Sequence, residues 1–268
     1  MNWHTRDMEA MVSWRICWSW LIALPLVAAC GDGYLSPDAD WLSVDAGRRH
    51  NCGIKADGSL ACWGAGLDAT ACDYESWACG QSNPPAGTFT EVSAAELHTC
   101  GLLEDGTAQC WGHDDWGMAT PPQEMFTQVS ASPGHTCGVR TDGVVECWGL
   151  DDEEQGQAPG WPFLQVSAGD RHTCGVKETG EADCWGRNFS GEAAPPEGSF
   201  TWISSSLYHT CGLAADGSAV CWGCEYLPEG IDYGQCTPPS GEFTQIDAGV
   251  YHTCGLRPGG VVECWGCD

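Results

Sequence analysis

The stretch FTQVSASPGHTCGVRTDGVVECWG, residues 126–149, decides how this chain folds. Cys137 and Val139 are two residues apart, so they share one face of an extended strand and the intervening residues share the other. The Thr-Asp-Gly that follows suits a three-residue hairpin loop with its glycine in the left-handed conformation. Such a loop places Cys137 opposite Cys147 and Val139 opposite Val145. The stretch therefore predicts an antiparallel hairpin with one buried face and one solvated face.

This hairpin occurs six times along the chain. The motif His-x-Cys-Gly followed by Cys-Trp-Gly has spacings of 48, 37, 37, 37 and 43 residues between its histidines, which are His50, His98, His135, His172, His209 and His252. The basic unit therefore has 37 residues, with 11 extra in the first linker and 6 extra in the fifth. The predicted units span residues 41–64, 89–112, 126–149, 163–186, 200–223 and 243–266.

Each unit also begins with an aromatic-x-x-aliphatic strand, such as Phe163 to Val166, and the linkers are rich in glycine and proline. No segment has a sustained period of 3.6 residues, as a helix would require. Short antiparallel units at a fixed period predict an all-β fold, a β-propeller with one blade per unit. We expect six blades, with seven as the alternative, in a closed ring over residues 41–268.

The sequence VSAGDRHTCGVKETGEADCWG, residues 166–186, resembles the repeat of the regulator of chromosome condensation family. The resemblance covers about 85% of the chain. The repeat pattern is similar to that of the shorter bacterial form of the family, which includes a propeller-type β-lactamase inhibitor protein. It implies a propeller whose loops form a binding face. The paired cysteines are additional to the basic family motif, and family members usually have seven blades.

The chain has nineteen cysteines, and most of them fall into pairs. Directly opposed residues of a hairpin have Cα atoms about 4.5 to 5.5 Å apart, within reach of a disulfide. Six predicted disulfides cross the hairpins: Cys52/Cys62, Cys100/Cys110, Cys137/Cys147, Cys174/Cys184, Cys211/Cys221 and Cys254/Cys264. Two more are predicted to staple the long linkers: Cys72/Cys79 and Cys224/Cys236.

Zinc is the alternative use of these side chains. His135 lies two residues before Cys137, so each unit could offer an imidazole and two thiolates to a metal. An exported chain oxidises such thiols, and we therefore expect no metal and no other cofactor. The sequence has no nucleophile elbow, phosphate-binding loop, dinucleotide fingerprint or His-Glu-x-x-His, so we expect no catalytic residues and no enzyme activity. His113, beside two aspartates, is predicted to lie in a solvated loop.

Residues 1–29 are predicted to be a lipoprotein signal peptide. The apolar run at residues 16–29 is too short to span a bilayer, and it ends in Leu-Val-Ala-Ala-Cys-Gly, which resembles a bacterial lipobox. We expect lipid on Cys30, a tether over residues 30–40 and a location in the bacterial cell envelope. Secretion is the alternative, with a bridge between Cys30 and Cys267, which otherwise has no predicted partner.

Charge and composition exclude several classes of partner. The chain has 37 Asp and Glu against 10 Lys and Arg, a formal charge of −27. Such a surface repels phosphate backbones and anionic headgroups, which excludes nucleic-acid binding. We therefore expect the protein to contact the membrane only through the lipid anchor on Cys30. The abundance of cysteine indicates an oxidising compartment. We expect a monomer.

The two long linkers contain aromatic residues that the other linkers lack. Because both linkers follow the same strand of their units, they should emerge on one face of the ring. Rigid aromatic side chains on loops supply contact area at low entropic cost, although packing against the neighbouring blade is the alternative. The predicted partner-binding residues are Tyr74, Trp77, Tyr226 and Tyr233.

The sequence thus predicts a non-enzymatic, envelope-anchored propeller that binds a protein or a glycan through its loops. One alternative is an inhibitor of an extracytoplasmic enzyme. A second alternative is a propeller lyase or hydrolase, which would need clustered carboxylates on one face.

Overall fold

The computed structural model describes residues 41–67, 72, 77–224 and 233–266. In this part of the chain we find eighteen strands and no helix, and so no helix that is long and apolar enough to cross a membrane. The strands form six three-stranded antiparallel sheets, each made of three consecutive strands. The predicted all-β propeller with six blades is confirmed.

Each blade runs from an inner strand through a middle strand to an outer strand, and the inner strands of successive blades contact one another. The inner strands are β1 (Trp41–Ala46), β4 (Phe89–Ala94), β7 (Phe126–Ala131), β10 (Phe163–Ala168), β13 (Phe200–Ser205) and β16 (Gln245–Ala248). The middle strands are β2 (His50–Lys55), β5 (His98–Leu103), β8 (His135–Arg140), β11 (His172–Lys177), β14 (Thr210–Ala214) and β17 (His252–Leu256). The outer strands are β3 (Leu60–Gly64), β6 (Ala108–Gly112), β9 (Val145–Gly149), β12 (Ala182–Gly186), β15 (Ala219–Trp222) and β18 (Val262–Gly266).

The hairpin between a middle and an outer strand has the register that the sequence predicts. In the third blade, Cys137 pairs with Cys147 and Val139 pairs with Val145. Gly143 in the connecting turn has φ +83°, and its N–H donates to the carbonyl of Arg140 at 2.9 Å. A residue with a Cβ is strained at this φ, which explains why glycine occupies this position of the unit.

Eight disulfides join the cysteines of the described residues. Six cross the hairpins with Cα atoms 4.0 to 4.1 Å apart: Cys52–Cys62, Cys100–Cys110, Cys137–Cys147, Cys174–Cys184, Cys211–Cys221 and Cys254–Cys264. Two close the long linkers: Cys72–Cys79 and Cys224–Cys236. These are the eight pairs that the spacing predicts. Each disulfide lowers the conformational entropy of the unfolded chain and so stabilises the folded blade.

Successive blades are joined by small apolar cores. Between the third and fourth blades, Cys137 and Val139 pack against Phe163, Val166 and Trp185. Equivalent clusters lie at the other four junctions between consecutive blades. The apolar face of each hairpin is therefore buried against the blade that follows it, as its alternating sequence indicates.

Side-chain amides also clasp neighbouring inner strands. Gln128 accepts a hydrogen bond from the N–H of Val166 and donates one to the carbonyl of the same residue, both at 2.8 Å. Gln165 makes the same two bonds with Ile203. Glu91 occupies this position in the second blade, where it accepts from the N–H of Val129.

Two carboxyl groups on the inner strands have raised pKa values. Burial raises the pKa of Glu91 to about 8, and the nearby charge of Asp45 adds to the rise. Burial likewise raises the pKa of Asp45 to about 7. The N–H of Ala94 donates a hydrogen bond to this carboxylate at 2.6 Å, which lowers the pKa but does not cancel the effect of burial. Repulsion from Asp247 of the last blade also raises the pKa of Asp45.

The junction between the sixth and first blades differs from the other five. Among the described residues, no apolar cluster joins these two blades. Val44 of β1 is 53% exposed, whereas its equivalents in the other inner strands are at most 8% exposed. Val262 of β18 is 54% exposed, against 5% for its equivalent Val145. We expected the sixth and first blades to close the ring. Within the described part of the chain, no apolar core like those at the other five junctions joins them.

Candidate binding face

One end of every blade presents two kinds of loop side by side. In the third blade, His135 at the start of β8 pairs with Gly149 at the end of β9. The turn before β8 and the linker after β9 consequently lie at the same end of the sheet. We call this end the linker face: it consists of the turns between inner and middle strands and the first part of each linker. The hairpin turns lie at the opposite end.

Each linker is fixed by one backbone carbonyl at the junction between two blades. The carbonyl of Gln155 accepts hydrogen bonds from the indole N–H of Trp185 at 2.8 Å and from the hydroxyl of Thr173 at 2.9 Å. The indole of the next blade makes the equivalent bond in every described linker. We call the residues that supply these carbonyls the anchoring residues: Gln81, Met118, Gln155, Glu192 and Gln235.

The repeated histidine completes this junction. His135 Nε2 lies 2.8 Å from the hydroxyl of Thr173. Because that hydroxyl donates to the carbonyl of Gln155, it must accept from the imidazole, which assigns the proton to Nε2. Four other junctions have the same contact at 2.5 to 2.8 Å: His50–Thr99, His98–Thr136, His172–Thr210 and His209–Thr253.

Burial keeps these histidines neutral. It lowers the pKa of each of the five to about 3 or about 4: His50, His98, His135, His172 and His209. Nδ1 has no hydrogen-bond partner in three of them, His50, His98 and His172, which fits an imidazole protonated only on Nε2. The zinc alternative requires free thiolates and an available imidazole nitrogen. The structure instead places the thiols in disulfides and aims Nε2 at the next blade, so these histidines hold blades together.

Trp77 lies on the linker face in the first long linker. Its side chain is 39% exposed, and the guanidinium of Arg49 sits 4.6 Å from its ring centroid. Its φ of +56° is unusual for a residue with a side chain. The amide of Gln81 holds this conformation, because it donates to the carbonyl of Trp77 at 2.8 Å and accepts from the N–H of Cys79 at 2.6 Å.

Tyr233 lies in a cluster of three tyrosines between the fifth and sixth blades. Its ring centroid is 5.2 Å from that of Tyr251, which in turn stacks on Tyr208 at 5.7 Å. Tyr208 and Tyr251 were not predicted from the sequence. The signal for them is an aromatic residue immediately before the repeated histidine in two consecutive units. Tyr74 and Tyr226, the other two predicted binding residues, lie outside the described residues, as do Cys30 and Cys267.

Two further exposed aromatic residues on the linker face were also not predicted. Trp116 is 53% exposed and Phe189 is 73% exposed. Each lies in a linker of ordinary length, whereas the prediction relied on the inserted residues of the long linkers. His113 packs edge-on against Trp116, and its Nε2 lies 2.9 Å from Asp115. The prediction that His113 lies in a solvated loop is wrong, because the residue is only 4% exposed.

The arginines of the linker face are held by acidic neighbours. Glu96 accepts from Arg48 at 3.0 Å and from Arg49 at 3.2 Å, which joins the first and second blades. Arg187 donates to the buried carboxylate of Glu192 at 2.8 Å and to the carbonyl of Leu207 at 2.7 Å. These contacts fix the positions of the turns, so the exposed aromatic residues project from a rigid surface.

Three of the units match the family model described as the Regulator of chromosome condensation (RCC1) repeat, at residues 126–157, 163–192 and 203–235. Residues 126–235 thus contain three units that match this repeat. No curated protein matches the sequence. The bacterial short-repeat form stays a prediction.

Solved structures with similar folds include proteins from plants and yeast. The ectodomain of the Physcomitrella patens receptor kinase CR4 is 24% identical, with a TM-score of 0.68 over 86% of this chain and 63% of that one. The CRINKLY WD40 ectodomain of the Arabidopsis thaliana receptor kinase ACR4 is 25% identical, with a TM-score of 0.69 over 85% and 81%. Prp20p from Saccharomyces cerevisiae, studied for its binding to Gsp1p and histones, is 15% identical, with a TM-score of 0.67 over 84% and 72%. The chain thus spans less than two thirds of the moss ectodomain.

The repeated contacts at the junctions explain how the linker face can vary while the blades stay alike. At the five described junctions, the threonine and the tryptophan of one blade lie at the anchoring residue, and the histidine of the preceding blade contacts that threonine. Residues between the end of an outer strand and the anchoring residue differ in type and number from one linker to the next. The chemical variety of the molecule is therefore concentrated on the linker face.

Proposed function

We propose that this RCC1-repeat propeller is a non-enzymatic binding protein that takes a protein partner on its linker face. The observation that carries the proposal is the set of exposed aromatic side chains on that face, Trp77, Trp116 and Phe189, above a frame fixed by disulfides. Aromatic residues that are held rigid before binding are the usual anchors of protein interfaces. A glycan stays the alternative ligand.

The chemistry of the repeats favours binding over catalysis. The buried histidines have pKa values of about 3 or about 4, so they cannot exchange protons usefully near neutral pH. Each one is also engaged with a threonine of the next blade. An extracytoplasmic enzyme is one class of protein partner, in which case the propeller would act as its inhibitor.

We place the protein in an oxidising compartment outside the cytoplasm, anchored by lipid on Cys30. Eight disulfides in a chain of 268 residues support this location, because a reducing cytosol would not maintain them. The leader-like residues 1–29 and the lipobox-like sequence before Cys30 support the anchor.

The test is to measure binding to a partner purified from the extracytoplasmic proteins of the producing cell. Trp77→Ala and Phe189→Ala should each weaken binding at least about tenfold, as expected for interface anchors, without lowering the melting temperature. Trp161→Ala is the matched control, because Trp161 is 49% exposed but contacts Lys177 and Asp183 near the hairpin-turn end. Equal binding by all three variants would exclude the linker face, and selective loss in Trp161→Ala would move the site to the opposite end.

A further inference from the structure

Two exposed aromatic side chains of the linker face have no cation of this chain over their rings. In the first linker, the guanidinium of Arg49 lies 4.6 Å from the ring centroid of Trp77. Among the described residues, no equivalent cation lies over Trp116 or Phe189, which are 53% and 73% exposed. A large part of each ring is therefore accessible to a cation that another molecule supplies.

The third linker, residues 150–162, lies between the linkers that carry these two rings. A Cβ built on Gly149, where the third linker begins, would lie 3.0 Å from the Cβ of Met118 in the second linker. A Cβ built on Gly186, where the fourth linker begins, would lie 3.0 Å from the Cα of Gln155 in the third. The second, third and fourth linkers are thus direct neighbours on the linker face.

The third linker gives this surface an excess of negative charge through Asp-Asp-Glu-Glu at residues 151–154. The two aspartates are engaged within the fold, because the first accepts from the N–H of Gly156 at 2.8 Å and the second pairs with Arg171. Among the described residues, neither Glu153 nor Glu154 has an ion pair. The arginines of the described linker face are all paired with carboxylates of this chain: Arg48, Arg49, Arg171 and Arg187.

Glu154 occupies a backbone position that the other described linkers fill with glycine. Every described linker places its anchoring residue 30 residues before the tryptophan whose indole it accepts, so the linkers align position by position. In four of them the residue before the anchoring residue is a glycine with φ of +77° to +82°: Gly80, Gly117, Gly191 and Gly234. Glu154 has φ +64° at this position, where a side chain is disfavoured. The third linker thus keeps an exposed carboxylate at a cost in stability, which points to a role outside folding.

We propose that the second, third and fourth linkers bind a basic segment of the protein partner, with its arginine or lysine side chains over Trp116 and Phe189 and beside Glu153 and Glu154. This inference rests on the proposed function and adds the chemistry of the partner to it. Charge complementarity selects the occupant, because the chain has a formal charge of −27 and an acidic segment would be repelled from this surface.

The test uses a fluorescein-labelled peptide of alternating arginine and glycine, and a second peptide with glutamate in place of arginine. Binding to the full chain is read by fluorescence anisotropy at about 0.15 M salt, where long-range attraction is screened. The full chain should bind the arginine peptide and not the glutamate peptide. Glu153→Gln combined with Glu154→Gln should weaken binding roughly fivefold, the factor for two exposed ion pairs of average strength. Trp116→Ala should weaken it about threefold, the factor for one exposed cation–π contact.

The matched control removes the same charge at the opposite end of the blades. Glu104 and Glu178 are exposed residues of two hairpin turns, so Glu104→Gln combined with Glu178→Gln should leave binding of the arginine peptide nearly unchanged. Glu154→Gly separates binding from folding, because it removes the carboxylate and relieves the left-handed backbone. This variant should bind the peptide about twofold more weakly and yet melt about 2 °C higher.

Two results with the arginine peptide would overturn the inference: equal weakening by the control pair, or unchanged binding by Trp116→Ala and the third-linker variants. It would also fall if the purified partner bound the Glu153→Gln and Glu154→Gln variant with full affinity but lost affinity for Phe189→Ala. In that case the proposed function would stand without a basic contact. Partner binding that no linker-face variant changes, together with the expected peptide results, would refute the proposed function and leave the basic contact in place.

Discussion

Replacing Glu91 with glutamine should stabilise the propeller at pH 8 and leave its stability at pH 4 nearly unchanged. Glu91 holds the position where Gln128 and Gln165 clasp the next inner strand with one donor and one acceptor. A carboxylate can only accept, so Glu91 matches the clasp fully only when it is protonated. Glutamine supplies the missing donor at every pH.

The size of the effect follows from the pKa of Glu91, which burial raises from 4.5 to about 8. The folded chain therefore keeps a proton that the unfolded chain loses above pH 4.5, and the free energy of unfolding falls as the pH rises from 4.5 to 8. At about 1.4 kcal/mol per pH unit the full rise corresponds to roughly 5 kcal/mol. The side chain is only partly buried, so we expect the variant to gain about 2 to 3 kcal/mol at pH 8.

The assay is denaturant unfolding with the disulfides intact, followed by tryptophan fluorescence at pH values from 4 to 9. Gln128→Glu is the reciprocal control, and it should lose stability at pH 8 while keeping it at pH 4. A difference between Glu91→Gln and the unaltered chain that stays constant across this range would refute the role given to the buried carboxyl. Destabilisation of the protein by glutamine at pH 8 would refute it equally.

Three other measurements test the remaining structural conclusions. The pKa of His135 is lowered from 6.5 to about 4, so its contribution to stability is complete above pH 6.5 and is lost as the pH falls toward 4; His135→Gln should show less of this loss, and an identical acid profile would contradict the assignment. The sixteen cysteines of the eight disulfides should react with a thiol reagent in denaturant only after reduction, whereas twelve or more reactive thiols beforehand with bound zinc would restore the metal hypothesis. Cys30→Ala should abolish lipid labelling and release the protein from membranes, and a mature chain that starts at Cys30 without added mass would indicate secretion instead.

The repeat makes the blades predictable from sequence. Strand alternation, the glycine of the turn and the ten-residue spacing of the cysteines each leave a mark in the sequence, because each depends on a particular side chain or on its absence. The register of Cys137 with Cys147 follows from these marks alone, and the strands pair in that register.

The contacts between blades cannot be derived in the same way. The anchoring position accepts through its backbone carbonyl, so residues as different as Met118 and Glu192 can occupy it, and the residue type there does not reveal the hydrogen bond to the next blade. Alternation assigns Gln128 to a polar face, but does not reveal that its amide clasps the next blade. The cluster of Tyr208, Tyr233 and Tyr251 is assembled from different units, and only the fold brings them together.

The fixed distance from anchoring residue to tryptophan has a consequence for how such proteins diversify. Counted from the residue after Cys-Trp-Gly up to and including the anchoring residue, the second, third and fourth linkers have 6 residues, whereas the first has 17 and the fifth has 12. Every length change between units falls in this window, and the 30 residues that follow it keep their length in every unit. This window is therefore a site where residues can be inserted during evolution without altering the contacts between blades. The same windows, starting after Gly112, Gly149 and Gly186, are where a designer could graft new recognition loops onto this scaffold.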